Sequence, residues 1–309
     1  MSFDFAAVAS PFRMQPGLRR LAPGAARLTP NTLGSAALIE KAAVLRDRAG
    51  EALVAEPGFD AGPALHALMR QAALGQPSHF GWDGEQRFDA HALGWSVRGD
   101  ELAGGGPREL GALLRALPAA WRLPGLLCLA LAEDLAVIDG DSARIPWLAV
   151  CLPSRWAPED KVGRHFAEVH APVADNALLI TAADHLARLV TGTNRWERFV
   201  WSVSSDPRLA QHPRHTPPHA WPAALDAGAI ARAASWRTEH QTFIPVPSMR
   251  QAVFTILVES RPLPDAIDSP ERARRLHDAL ASMSPAVLAY RGLGDARARL
   301  LAWLAMRSA

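Results

Sequence analysis

The residues best suited to chemistry in this sequence are histidines. In the stretch CLPSRWAPEDKVGRHFAEVHAPV, from Cys151 to Val173, Val162, Phe166 and His170 recur every fourth residue. That spacing puts an imidazole on the apolar stripe of a short helix. Pro158 suits the first helical turn, Glu159 and Asp160 suit its positive end, and Pro172 predicts termination by Ala171. A neutral imidazole buried there must satisfy at least one ring nitrogen. Two roles meet that need: a core histidine bonded to a carbonyl, or a ligand to iron in a flat apolar pocket. His165 and His170 are five apart with Glu168 between them. A zincin helix needs four to aim both rings at one metal, so the metalloprotease reading fails. His212, His215 and His219 in QHPRHTPPH also have ligand chemistry. Three prolines exclude a helix that aligns them and no carboxylate is close in sequence, so a solvated loop is expected.

Other standard chemistry is missing. Cys128 and Cys151 are the only two cysteines, too few for a disulfide framework or a four-cysteine metal site. Both lie in apolar, strand-like runs, which predicts small buried hydrophobes in a reducing compartment. The run Gly104-Gly105-Gly106-Pro107 lacks the later glycines of a dinucleotide loop and the Lys-Ser/Thr of a phosphate loop. No serine occupies a G-x-S-x-G elbow. Basic and acidic residues nearly balance, 33 against 31, so no charge field points to nucleic acid or a membrane surface. The first twenty residues lack a signal-peptide pattern and no apolar run has spanning length, so a cytoplasmic, soluble protein is expected.

These residues must be positioned by the elements around them. Residues 1 to 34 read as an extended arm rich in Pro, Gly and Arg. Helical spacing follows over Asn31 to Ala49, Pro63 to Leu74 and Glu109 to Leu117, with residues 76 to 108 as an irregular insertion. LLCLALAEDLAVIDGDSARIPWLAVCLPS, from Leu126, reads as two strands around the turn at Asp139 to Ser142. Asn176 to Val190 is a predicted helix, and Phe199 to Ser204, Ser235 to Val246 and Ala252 to Ser260 are predicted strands. Helices at Pro270 to Met283 and Pro285 to Met306, the latter broken near Gly292, close the chain. Strands joined by hairpins rather than regular βαβ crossovers predict an α+β fold with an antiparallel sheet.

The order of short blocks adds a resemblance. Glu133-Asp134-Leu135, Cys151-Leu152-Pro153-Ser154-Arg155-Trp156, Lys161-Val162-Gly163 and Val169-His170-Ala171-Pro172-Val173 resemble the α subunit of haem-dependent oxidative N-demethylases. Trp201-Ser202-Val203 with Asp206-Pro207, Glu239-x-Gln241-Thr242 and Ala252-Val253-Phe254-Thr255-Ile256 follow in the same order, and Pro11-Phe12-Arg13 with Gly17-Leu18 fits the N-terminal arm. The resemblance covers most of the chain, most firmly Leu126 to Ser260.

It implies a PAS-like antiparallel sheet with haem-cradling helices at residues 125–262, an N-terminal arm and helical extension at 1–124, and C-terminal helices at 263–309. It also implies O2-dependent oxidative N-demethylation of a small, dimethylamine-like secondary amine with release of formaldehyde. Electrons would come from a separate NADPH-dependent flavin and iron–sulfur reductase. The chain's lack of a cysteine set and nucleotide loop accords with that division of labour. The other reading of such a fold is a haem-binding gas or redox sensor, or a ligand-binding module, without turnover.

By the same resemblance His170 is the proximal ligand to haem b, with His165 and His185 as substitutes. Arg155 is placed to pair a haem propionate or to cap carbonyls. Trp156 belongs to the same motif as a packing residue or a haem-edge wall. Glu239 and His240 are expected on the O2 and amine side. Two departures from the family pattern stand out: His240 where an arginine is usual, and Val200 where asparagine is usual.

Overall fold

The computed structural model describes residues 3–22 and 28–308. The protein is α+β, and its main sheet is antiparallel throughout. Seven strands build that sheet: β1 (Arg19–Arg20), β2 (Leu53–Ala55), β7 (Glu133–Asp139), β8 (Arg144–Ala149), β9 (Trp196–Ser204), β10 (Ser235–Val246) and β11 (Gln251–Pro262). Their order is β1-β9-β10-β11-β7-β8-β2. The longest pairing, β10 with β11, runs without a slip from Ser235↔Pro262 to Val246↔Gln251. The turn between β7 and β8 is closed by Asp139, whose Oδ1 accepts from the backbone N–H and hydroxyl of Ser142 at 2.8 and 2.7 Å. The turn expected from the sequence is thus held by an aspartate side chain.

Residues 76–108 are not irregular. They form a second antiparallel sheet of β3 (Phe80–Trp82), β4 (Arg87–Ala90), β5 (Trp95–Arg98) and β6 (Glu101–Gly104). The glycines that suggest a loop are turn residues between these strands: Gly84, Gly94 and Gly99 all have positive φ. Leu126 to Ala130 is likewise helical rather than extended. It ends α4 (Ala119–Ala130), so Cys128 sits in a helix, not in a strand. Leu126, Leu127, Cys128 and Leu129 are all fully buried. An all-apolar run of this length reads the same for a buried strand as for a buried helix.

One face of the main sheet carries the bulk of the core. Over β7, β8 and β11 lie α1 (Ala36–Ala52), α2 (Gly62–Gly75), α3 (Arg108–Ala116), α4 and the second sheet. Leu68, Phe88, Leu114 and Leu126 pack there in one cluster with Leu135, Val137 and Val253. Over β9 and β10 lie α8 (Ala227–Ala233), α9 (Leu263–Ala266), α10 (Pro270–Ala281), α11 (Pro285–Tyr290) and α12 (Arg297–Ser308). Their leucines surround Trp201, Val203 and Trp236. The opposite face of the sheet is covered by α5 (Phe166–His170), α6 (Ala177–Thr181) and α7 (Ala183–Val190).

The segment before α5 is not one helix. A single 3-10 turn at Pro158–Asp160 ends before Gly163, which has φ of 72°. The chain then runs beside β8 through Gly163 N→Ile145 O, Ile145 N→Arg164 O and Phe166 N→Ala143 O. His165 restarts the helix: its Nδ1 accepts from Ala167 N at 3.2 Å while Glu168 bonds back to its backbone N–H at 2.9 Å. Residues 176–190, expected as one helix, divide into α6 and α7 at Ala182.

Candidate functional site

Between the sheet and α5–α7 lies a cavity of about 360 Å³. Strand alternation decides what enters it. On β9 the inward residues are Arg198, Val200, Ser202 and Ser204, and on β10 they are Arg237, Glu239, Gln241 and Phe243. Register sets them side by side, with Arg198 opposite Gln241, Val200 opposite Glu239 and Ser202 opposite Arg237. The floor therefore has two halves. Ala136, Ile138, Phe243 and Phe254 are apolar and face Phe166, Val169, Leu186 and Val190 from the helices. Arg198, Ser202, Arg237, Glu239 and Gln241 form a polar half, closed by Ser154 to Trp156, His219, Tyr290 and Arg291.

His170 lines this cavity from α5. Its Nδ1 lies 2.8 Å from the carbonyl of Phe166, one helical turn earlier, and the Phe166 ring centroid is 4.1 Å from its own. A carbonyl only accepts, so Nδ1 carries the proton and Nε2 keeps its lone pair. Burial pushes the imidazole down to about 4, although the Phe166 bond opposes that. The ring is thus neutral at pH 7, with a fixed tautomer. That is the state a metal-ligating histidine needs.

The polar half is braced by a buried ion pair. Lys41, fully buried, donates to the carbonyls of Leu131 and Glu133 at 3.1 and 2.6 Å and lies 3.1 Å from Asp134. Asp134 accepts the backbone N–H groups of Cys151 and Leu152 at 3.0 and 2.6 Å. The turn that follows β8 is therefore pinned at its first two residues. Its other end is held by Gln211 N→Pro153 O and Arg155 N→Gln211 O, both 2.9 Å. This places the Ser154 hydroxyl between Arg237, which donates to it at 2.8 Å, and Glu239, to which it donates. Gln241 Nε2 donates to the second Glu239 oxygen at 2.6 Å. The rest of the Arg237 guanidinium is spent on the carbonyls of Leu152, Pro153, Arg208 and Leu209.

The expected site residues divide accordingly. His170, Arg155, Trp156 and Glu239 all line the cavity, as does Val200. Arg155 adopts a left-handed backbone with φ of 63° and gives Nη1 to the carbonyl of Pro217 at 3.0 Å; its buried Nε and Nη2 have no partner among the described residues. Trp156 packs against both core clusters that flank β8. His240 does not join Glu239, and this corrects the expectation. Adjacent strand residues face opposite sides, so its ring turns from the cavity, stacks on Phe199 at 4.4 Å and meets Glu197 at 2.7 Å. The substitute ligands also lie elsewhere: His165 caps α5 and meets Asp184 at 2.9 Å, and His185 is exposed.

The QHPRHTPPH segment is not a free loop. Among the described residues, Glu51, His212 and His215 bring ligand-type atoms within 4.8 Å of one another. Their hydrogen bonds give them another use. His212 Nδ1 accepts from Arg214 N at 3.2 Å, so its Nε2 is the protonated nitrogen and donates to Glu159 at 3.1 Å. His215 and Arg214 both meet Glu51. His219 turns inward instead, stacked on Trp221, and lines the cavity. Sequence reading missed Arg198, Gln211, Tyr290 and Arg291 in the cavity wall. Only Arg198 left a signal: it stands in phase with Val200, Ser202 and Ser204 on a strand whose alternate residues face inward.

These features define an α+β protein with a cavity between sheet and helices, apolar in one half and cationic in the other. The family model described as haem-dependent oxidative N-demethylase, alpha subunit-like, matches residues 123–301, more than half of the chain, and the chain belongs to that family. No helix among the described residues is long and apolar enough to cross a membrane.

The cavity residues fit a haem on three counts. The two apolar walls suit a flat macrocycle, and the His170 lone pair suits iron. The unpartnered guanidinium nitrogens of Arg155 suit a carboxylate.

Proposed function

We propose that this chain is the haem b-binding subunit of an O2-dependent oxidative N-demethylase, with the sheet and α5–α7 as a PAS-like cradle and His170 Nε2 as the proximal ligand. The observation that carries the reading is the His170 tautomer: Nδ1–H is committed to Phe166, which leaves Nε2 as a lone-pair donor at the cavity. When bound, haem supplies the reduction of O2 and the oxidation of an N-methyl group. The chain's residues supply the rest. Phe166, Val169 and Leu186 keep water from the apolar end. Glu239, held by Ser154 and Gln241, receives the ammonium of the amine and fixes its orientation. Arg155 is placed to pair with a propionate. Val200, directly opposite Glu239, gives an apolar contact beside the amine.

Electrons arrive from a separate NADPH-dependent flavin and iron–sulfur reductase, and the chain works in the cytoplasm, where its buried free thiols Cys128 and Cys151 stay reduced. The overall stoichiometry is one N-methyl amine, O2, NADPH and a proton to the demethylated amine, formaldehyde, water and NADP+. The test is formaldehyde release by the haem-loaded chain with its reductase. One formaldehyde per O2 consumed supports the reading; a loaded protein that binds O2 and releases none is a sensor.

A further inference from the structure

We propose that the polar half of the cavity selects an amine that also carries a carboxylate, namely an N-methyl α-amino acid, with Glu239 receiving its ammonium and Arg198 its carboxylate. The proposal deepens the N-demethylase reading and rests on it. Arg198 is partly buried and borders the cavity, yet none of its side-chain nitrogens makes a hydrogen bond or ion pair with any described residue, and its buried Nε is orphaned. A guanidinium with a buried nitrogen and no partner is costly, so this position is suited to an anion. Glu239 is not that anion. The two charges interact, but Glu239 is already held by Ser154 and Gln241, and no ion pair joins it to Arg198.

Sheet geometry sets the spacing. Arg198 is opposite Gln241 and so diagonal to Glu239, a separation of about 7–8 Å at the backbone on one face. Two opposite charges that share a face without closing on each other leave room for a zwitterion between them. Charge balance points the same way. Arg155, Lys161, Arg198, Arg237 and Arg291 line the cavity against one carboxylate, Glu239. Two haem propionates still leave cations in excess. A bare secondary ammonium adds to that excess, whereas a zwitterion does not. The reaction keeps the same balance: an N-methyl amino acid, O2, NADPH and a proton give the parent amino acid, formaldehyde, water and NADP+.

The test is isothermal titration of the purified protein with sarcosine, dimethylamine and acetate, with haem content measured on the same samples. Sarcosine is expected to bind roughly ten- to a hundredfold more tightly than either partial analogue, the effect of one further charge-assisted hydrogen-bonded pair. Arg198→Gln is expected to remove that preference while dimethylamine affinity stays within about twofold and haem content is unchanged. Arg198→Lys, which keeps the charge without the fork, is expected to restore part of it and guards against a folding defect in the first variant. Equal binding of dimethylamine and sarcosine overturns the proposal, as does acetate binding as tightly as sarcosine. Loss of haem from Arg198→Gln with the sarcosine preference intact assigns Arg198 to a propionate and also overturns it. A wild-type protein without haem removes the N-demethylase reading, and titration of that same chain still decides whether the charge pair takes a zwitterion.

Discussion

His170 and His219 face the same cavity and are both held neutral by burial, each pushed down to about 4. They differ in what the free nitrogen can do. His170 gives Nδ1–H to a carbonyl and keeps Nε2 for a ligand. His219 is stacked on Trp221, with Nδ1 beside the Ser205 hydroxyl at 3.2 Å, and closes the polar end. The depressed value has a consequence for stability. As pH falls from about 6.5 to about 4, the unfolded chain takes up a proton that folded His219 refuses, so stability falls with pH through that window and is unaffected above it. His219→Gln is expected to shallow this acid limb in the haem-free chain. Urea midpoints at pH 7 and pH 4.5 measure it; an unchanged difference between them would show that the ring is protonated in the folded state.

The turn from Cys151 to Trp156 is an element whose shape is set by the buried pair of Lys41 and Asp134. Lys41→Met removes the cation and leaves the Asp134 carboxylate buried beside it. The expected loss is about 3–5 kcal/mol of stability, because a broken buried pair strands one charge. Denaturant unfolding checks it, and a loss near zero would mean that water or rearrangement compensates Asp134.

Elements of this kind differ in how far they can be read in sequence. β10 was legible end to end because its turn signals and β-branched and aromatic residues bound a period-two run. Leu126 to Ala130 was not, since its residues are buried all round and show no period. The break at Gly163 was hidden by a spacing of four among Val162, Phe166 and His170, of which only the last two share a helix. His240 was misplaced because motif adjacency to Glu239 says nothing of strand face. The cavity itself comes from the register of β9 on β10, which local pattern does not contain. Arg198 therefore could not be matched to Glu239 before the pairing was known.

At the scale of the whole molecule, packing and strand pairing run across residues 124 and 262. One core cluster joins Leu68, Phe88 and Leu114 to Leu126, Leu135 and Val253, while β2 pairs with β8 and β1 with β9 at the two edges of the main sheet. The sheet is thus completed by the N-terminal segments and backed by the C-terminal helices. A fragment of residues 125–262 is expected to lack cooperative unfolding, since it exposes Trp201, Trp236 and the Leu135–Val137 face of β7. A sharp thermal transition in that fragment would show that the sheet is self-sufficient. The central claim is that the cavity holds haem through His170. Its most direct test is the visible spectrum of the purified protein and of His170→Ala after expression with haem precursor. Iron held by His170 gives a Soret band in the wild type that shifts or disappears in the variant. No Soret band in the wild type after haem titration, or an identical band in the variant, would contradict it.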